Sequence, residues 1–346
     1  MSKHIIINNI QSLKEKKIFL ADSDQILEEV AKKFSVSVTP LVASAIVSTN
    51  APELSRQYVP AAAELQVYDH ELTDPIGDTK YTPVKGITHR YPDRVLLKPI
   101  HTCAVYCRFC FRREKVGRQE EALNGQELNE ALNYIEKSPA VWEVILSGGD
   151  PLMLQPEKLA TILKRLQKIP HVGVIRIHTR VPLVAPEKLS TAMLDALDLE
   201  KALFVVLHCN SHLELLDEVK AGLKKMNRRG IPLLSQSVLL RGVNDSAEKL
   251  EKLFRSLVSL RVKPYYLHHG DLAAGTSHFR TSVQEGQSIM KKLRGDLSGI
   301  CQPSYVLDIP GGFGKVPIGP NYIVKENSAY TVEDWQGQPH SYEEQD

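Results

Sequence analysis

The chain has 346 residues, with 43 Lys and Arg against 41 Asp and Glu for a net charge of +2, and only five cysteines. That length suits one large domain or two small ones, and the even charge balance, with no dense Lys/Arg run, argues against nucleic acid or an anionic membrane as the main partner. The longest apolar stretches are strand-sized and the first eight residues lack the apolar core of a secretory leader, which predicts a cytoplasmic protein without a membrane span.

Residues 1 to about 85 read as a polar, helical N-terminal region, with apolar positions at helical spacing at Leu27, Val30 and Phe34 and again at Leu41 and Ile46. No chemistry is visible in it. Turn residues crowd together from Asp74 to Gly86 and predict a linker into the main domain. From there apolar strands alternate with amphipathic helices, the sequence form of a parallel α/β structure. Six strands are predicted, at Val95–Lys98, Val141–Leu146, Val174–His178, Leu203–Leu207, Leu233–Leu239 and Pro264–His268. Helices are expected near 127–137, 157–168, 188–197, 213–229, 246–260 and 282–294, long enough for right-handed crossovers. Periodicity alone leaves an open doubly wound sheet and a partial barrel both standing.

Polar residues gather where these strands end. The first strand runs into a cysteine loop, the second into Ser147-Gly148-Gly149-Asp150, the third into His178-Thr179-Arg180, the fourth into His208-Cys209-Asn210 and the sixth into His268-His269-Gly270-Asp271. Both candidate architectures place their active sites there.

Cys103, Cys107 and Cys110 put three thiols into eight positions, an odd number that suits a shared ligand better than disulfides. Zinc would want a fourth ligand, and Cys209 and Cys301 stand alone. Three thiolates on an iron–sulfur cubane leave one iron open, which points to catalysis rather than electron transfer. The C-x3-C-x2-C spacing with Phe109 before the third cysteine is the signature of radical S-adenosylmethionine enzymes. Gly148 and Gly149 are either a tight turn or a place where backbone approaches the methionine end of that cofactor. Lys315 follows three glycines in four positions, at Gly311, Gly312 and Gly314, so a loop with little side-chain cover presents one amine, a candidate partner for pyridoxal phosphate. Arg90 and Arg94 are either surface arginines or forked donors to a cofactor phosphate. Asp271 and Asp308 are either turn residues or a pair able to bind a substrate amine. The histidines at 178, 208, 268 and 269 lack the close spacing of a zinc site.

Taken together, Thr-His-Arg90-Tyr-Pro-Asp-Arg94, Cys103-x3-Cys107-x2-Cys110, Ser-Gly-Gly-Asp150-Pro-Leu, Gln236-Ser-Val-Leu-Leu-Arg-Gly-Val-Asn-Asp245, Pro-Tyr-Tyr-Leu-x3-Asp271 and Pro-Gly-Gly-x-Gly-Lys315 resemble the lysine 2,3-aminomutase family, in order, from about Gly86 to Lys315. The resemblance implies an α/β fold, a partial (β/α)6 barrel over 86–315 with the helical N-terminal region at 1–85 and a C-terminal extension at 316–346. It implies a [4Fe-4S] cluster, S-adenosylmethionine and pyridoxal phosphate, and an isomerase that interconverts L-lysine and β-lysine through a 5′-deoxyadenosyl radical. Cys103, Cys107 and Cys110 would then hold the cluster, Gly148, Gly149 and Asp150 would face S-adenosylmethionine, and Lys315 would carry pyridoxal phosphate as its internal aldimine. Arg112 would clasp the substrate carboxylate, Asp271 and Asp308 the ε-ammonium, and Arg90, Arg94 and Gln236 the cofactor phosphate region. Flavodoxin or ferredoxin would supply electrons. A second destination for the same chemistry is (R)-β-lysine for elongation factor P. Ser246 follows Asp245 and no cysteine follows Cys301, so the zinc-stapled assembly of longer members is not expected, and the assembly is expected to be a homodimer at most. His268 stands where the resemblance leads one to expect tyrosine.

Overall fold

In this computed structural model residues 6–117, 122–326 and 329–344 are described; residues 1–5 of the N-terminal stretch, and 327–328 and 345–346 of the tail, lie outside that set. Four helices open the chain: α1 (Ile10–Glu15), α2 (Asp24–Lys33), α3 (Pro40–Thr49) and α4 (Pro52–Tyr58). Proline starts α3 and α4, where a missing N–H costs nothing. They do not form a separate body. Thr39 donates to the Val184 carbonyl (2.6 Å), Tyr106 N to the Ser37 carbonyl (2.8 Å) and Arg108 N to the Gln57 carbonyl (2.9 Å). One hydrophobic core runs from Ile7 through Tyr58 into the sheet and on to Tyr305.

The strand and helix alternation assembles into a sheet of nine strands in sequential order. β1 (Ile87–Tyr91) pairs antiparallel with β2 (Arg94–Ile100), and β3 (Glu143–Gly148), β4 (Val174–Thr179), β5 (Ala202–His208), β6 (Leu233–Val238), β7 (Val262–His268) and β8 (Ser304–Asp308) follow in parallel. β9 (Lys315–Pro317) then turns back antiparallel to β8. The crossovers carry α5 (Gly125–Glu136), α6 (Pro156–Gln167), the short α7 (Val181–Val184) and α8 (Thr191–Ala196), α9 (Asp217–Arg228), α10 (Ala247–Ser259) and α11 (Val283–Asp296). The expected strands are β2 to β7. The sheet continues past them with β8, whose apolar run of Tyr305, Val306 and Leu307 is too short to stand out in the sequence. The helices follow their local signals. Ser246 caps α10, whose buried Leu250, Leu253, Phe254 and Leu257 recur every three to four residues, each worth about 1.5–3 kcal/mol of burial.

The sheet curls until its two edges approach: the Lys315 N–H on β9 donates to the Tyr91 hydroxyl on β1 at 2.7 Å. Alternation along each strand then decides which side chains face the hollow. On β6, Leu233, Ser235 and Ser237 are buried on the outer side, while Gln236 and Val238 line the interior. After β9, the C-terminal extension folds into a small antiparallel sheet of β10 (Ile323–Glu326), β11 (Ala329–Glu333) and β12 (Pro339–Tyr342). It meets α11 through a Lys291–Glu333 ion pair and Trp335 against Gly295. Among the described residues no helix is long and apolar enough to cross a membrane.

Candidate active site

All thirteen residues singled out from the sequence line one cavity of about 530 Å³ inside the curl. Cys103, Cys107 and Cys110 stand at one end of it, on the loop after β2, as free thiols. Burial raises all three, Cys110 to about 11, while Arg180 opposes the rise at Cys107 by donating from Nη1 to its Sγ at 2.8 Å. Bare thiols in this setting stay protonated, so a cationic partner such as iron must stabilise the thiolates. Among the described residues no three His, Cys, Asp or Glu side chains converge on the position of a single ion, and a cubane, which takes each thiolate on a separate iron, does not ask them to.

Two buried ionic clusters back this loop, and their carboxylates, Glu214 and Glu64, come from segments to which the sequence assigned no chemistry. Arg180 also donates from Nη2 to Glu214 (2.6 Å) and to Gln57 of α4 (2.7 Å), and the Tyr58 hydroxyl donates to the same Glu214 (2.9 Å). Glu64 receives Arg108 through Nε (2.9 and 3.0 Å) and Nη2 (2.5 Å), and Arg113 through Nη2. The N-terminal region is therefore the rear wall of the cysteine loop, not a chemically blank appendage.

Gly148 and Gly149 serve close approach. Gly148 has φ +108°, and a Cβ on it would lie 2.6 Å from the Ile100 carbonyl oxygen; one on Gly149 would lie 2.4 Å from that of Thr102. The turn thus presses against the strand that delivers the cysteines. Asp150, expected to face the same cofactor, lines the cavity and is also engaged within the protein. Its Oδ1 accepts from Thr179 Oγ1 (2.6 Å) and Leu152 N (3.1 Å), and its Oδ2 from Arg180 N (2.6 Å) and Val181 N (3.0 Å), so the carboxylate pins the end of β4 to the end of β3.

The other end of the cavity is built on β7, β8 and β9. Lys315 Nζ is ion-paired with Asp308 and lies 3.1 Å from His268 Nδ1. His268 Nδ1 is also 3.5 Å from Asp308, but one ring nitrogen cannot donate to the acid and accept from the ammonium at once. Burial and the Lys315 charge lower the imidazole pKa, so acceptance from Lys315 is the consistent assignment. Burial alone would raise Asp308, yet the Lys315 ammonium paired with it holds it well below the usual carboxylate range. Asp271 goes the other way, pushed up to about 7 by burial and the Asp308 charge. His178 Nε2 and His268 Nε2 face this hollow, buried and without a protein partner.

Arg112 lies between the two ends. Its Nε and Nη2 both hold Asp78 Oδ2 at 2.8 Å, and Nη1 reaches Ser147 Oγ only at 3.4 Å. Asp78 is buried and also faces Arg90 Nη2 at 3.5 Å, a charge contact rather than a hydrogen bond, and Lys98 Nζ at 3.7 Å. Burial would raise Asp78, but Arg112, Lys98 and Arg90 hold it down; burial lowers Lys98 to about 8. Asp78 was missed because it sits in a turn-rich segment, where aspartate ordinarily serves the turn. Arg94 stacks on Tyr91 (3.8 Å) and bonds Asp93 (2.7 Å) at the cavity edge, and Gln236 lines the wall on β6.

A family model described as the radical SAM superfamily matches residues 97–255, and one described as lysine-2,3-aminomutase matches 290–346. The L-lysine 2,3-aminomutase of Acetoanaerobium sticklandii is 38% identical over 344 residues, 98% of this chain and 83% of that protein. The chain belongs to the lysine 2,3-aminomutase family. The L-lysine 2,3-aminomutase of Methanococcus maripaludis is 41% identical over 87% of this chain and 70% of its own length, and the glutamate 2,3-aminomutase of Clostridioides difficile 33% over 90% and 74%. Among solved structures, Streptococcus suis SuiB bound to S-adenosylmethionine aligns with a TM-score of 0.47 at 14% identity, over 63% of this chain and 51% of that one. Members of the lysine 2,3-aminomutase family are isomerases that work with a [4Fe-4S] cluster, S-adenosylmethionine and pyridoxal phosphate. The residues here fit those groups: three thiols with a guanidinium donor at one end, and an amine beside two carboxylates and orphaned imidazole nitrogens at the other.

Proposed function

We propose that this protein moves the α-amino group of L-lysine to C3, giving β-lysine. What carries the reading is that Asp271 and Asp308 both line the cavity that also holds Lys315 and the cysteine triad, with the Asp308 charge felt at Asp271. Two carboxylates attract an ε-ammonium and repel the side-chain carboxylate of glutamate, which favours lysine over the substrate named for the C. difficile relative. Asp308 already pairs with the Lys315 ammonium, the same chemical group that a lysine side chain would bring. Cys103, Cys107 and Cys110 hold the cluster, and the Gly148 and Gly149 backbone borders the methionine end of S-adenosylmethionine, with Asp150 fixing that turn. Arg112 binds the substrate carboxylate, so a linear amino acid is gripped at both ends and held still. Lys315 carries the pyridoxal aldehyde, with Arg90, Arg94 and Gln236 around its phosphate region. His268 Nδ1 accepts a hydrogen bond from the Lys315 ammonium and so orients Nζ in the cavity. When bound, the cluster and S-adenosylmethionine supply a carbon radical that removes a hydrogen atom from C3, and pyridoxal phosphate supplies the electron sink for the migration.

The test is anaerobic loading with iron, sulfide and pyridoxal phosphate, followed by L-lysine, S-adenosylmethionine and a reductant, with amino acids separated afterwards. β-Lysine is the expected product; loaded protein that leaves lysine untouched, or prefers glutamate, refutes the reading. Flavodoxin or ferredoxin is the expected physiological reductant, and a homodimer the largest expected assembly. The same product in its (R) form would serve elongation factor P, and chiral analysis of the product separates the two destinations.

A further inference from the structure

The segment from Asp74 to Tyr81 touches both ends of the substrate site. Gly77 has φ +64°, and a Cβ there would lie 2.7 Å from the Gly311 carbonyl carbon and 2.8 Å from Gly312 Cα, while Gly311 N donates to the Pro75 carbonyl at 3.2 Å. This backbone is therefore clamped onto the loop that delivers Lys315. The next residue is Asp78, itself fixed because Asp74 accepts from Asp78 N (2.9 Å) and from Thr79 N (2.8 Å).

A guanidinium has two edges able to take a carboxylate. Asp78 occupies one edge of Arg112, through Nε and Nη2, and among the described residues the remaining Nη1 side carries only the long contact to Ser147. We propose that Asp78 is the positioning residue of the substrate site: by gripping one edge of Arg112 it turns the other edge toward the amino acid's carboxylate, at a distance from Lys315 set by the Gly77–Gly311 contact. The charges agree with that role. One carboxylate serves Arg112, Arg90 and Lys98, so positive charge is left over on the cavity side, where an anionic carboxylate and a cofactor phosphate belong. Were Asp78 only a neutraliser of buried arginine, it would have no reason to leave one face of the guanidinium unspent.

The inference rests on the aminomutase reading, and the experiment separates the two. Pyridoxal-phosphate-loaded wild type, Asp78→Asn, Arg112→Ala and the double variant are titrated with L-lysine in the absence of S-adenosylmethionine, following the cofactor absorption. A parallel titration uses cadaverine, which is lysine without its carboxylate. Asp78→Asn weakens lysine by on the order of tenfold to a hundredfold, the usual scale for losing a group that orients a ligand-binding residue, and leaves cadaverine unchanged. In the Arg112→Ala background the same substitution adds nothing, because its effect passes through the missing side chain. Equal weakening of both ligands, or a loss that adds to that of Arg112→Ala, overturns the proposal. Should Asp78→Asn not fold, Asp78→Glu carries the same comparison, with a smaller loss confined to lysine expected and a loss shared with cadaverine refuting it. Wild type that binds pyridoxal phosphate but does not respond to lysine at all refutes the aminomutase reading instead.

Discussion

Replacing Glu64 by glutamine removes one negative charge from beneath two guanidiniums. Glu64, Arg108 and Arg113 are essentially inaccessible to water, with side-chain exposures of 0%, 1% and 1%. The other bonds of Arg108 and Arg113 go to backbone carbonyls of Ser35 (2.6 Å), Ala274 (3.4 Å) and Gly275 (2.8 Å), so among the described residues neither guanidinium has a second carboxylate. Stranding a buried charge in this way costs about 3–5 kcal/mol. With an unfolding entropy of about 2.1 cal/mol/K per residue, 346 residues give about 0.7 kcal/mol/K, so the melting temperature should fall by about 4–7 °C. The assay is thermal unfolding of cluster-free protein followed by circular dichroism, with iron content measured after anaerobic loading of a parallel sample. Because Arg108 lies between two of the cysteines, iron retention should fall along with the melting temperature. A shift below about 1 °C would show that the pair is exposed in solution and that the N-terminal segment does not brace the cysteine loop.

Lys315→Ala should abolish the absorption band of lysine-bound pyridoxal phosphate while iron and sulfide still load; persistence of the band would place the cofactor elsewhere. Burial and the Asp308 charge push Asp271 up to about 7, and only its ionised form attracts an ammonium, so kcat/KM for lysine should rise as pH increases through about 7. Asp271→Asn should lose that rise and weaken lysine binding far more than cluster assembly. A limb that survives the substitution unchanged assigns the titration to another group.

Much of the site was legible because its chemistry is written locally. The cysteine spacing, the glycine run before Lys315 and the polar residues after each strand are short-range patterns, and alternation along a strand places the residue after an apolar run at the mouth of the sheet. Arg180 was visible in that way but had no role until Cys107, Glu214 and Gln57 closed around it. Asp150 was read from the same signal and turned out to be engaged by Thr179 and three backbone N–H groups, because an acid at a strand end serves a turn as readily as a ligand. The N-terminal region showed only amphipathic helices and a turn-rich stretch, and nothing local separates Glu64 or Asp78 from the many carboxylates that merely face water.

What the sequence determined by itself is the order of strands and helices, the thiol triad, the lysine after its glycine run and the family they belong to, since each depends on spacing within a few residues. Tertiary structure alone decided that β1 and β9 meet, that Asp78 holds Arg112 across 34 positions, that Glu64 holds Arg108 across 44, and that Glu214 holds Arg180. The reason is physical. Periodicity reports which face of an element is buried, whereas the partner of a buried charge is whichever opposite charge the curl of the sheet brings within a few ångströms, and that is a property of the closed shape.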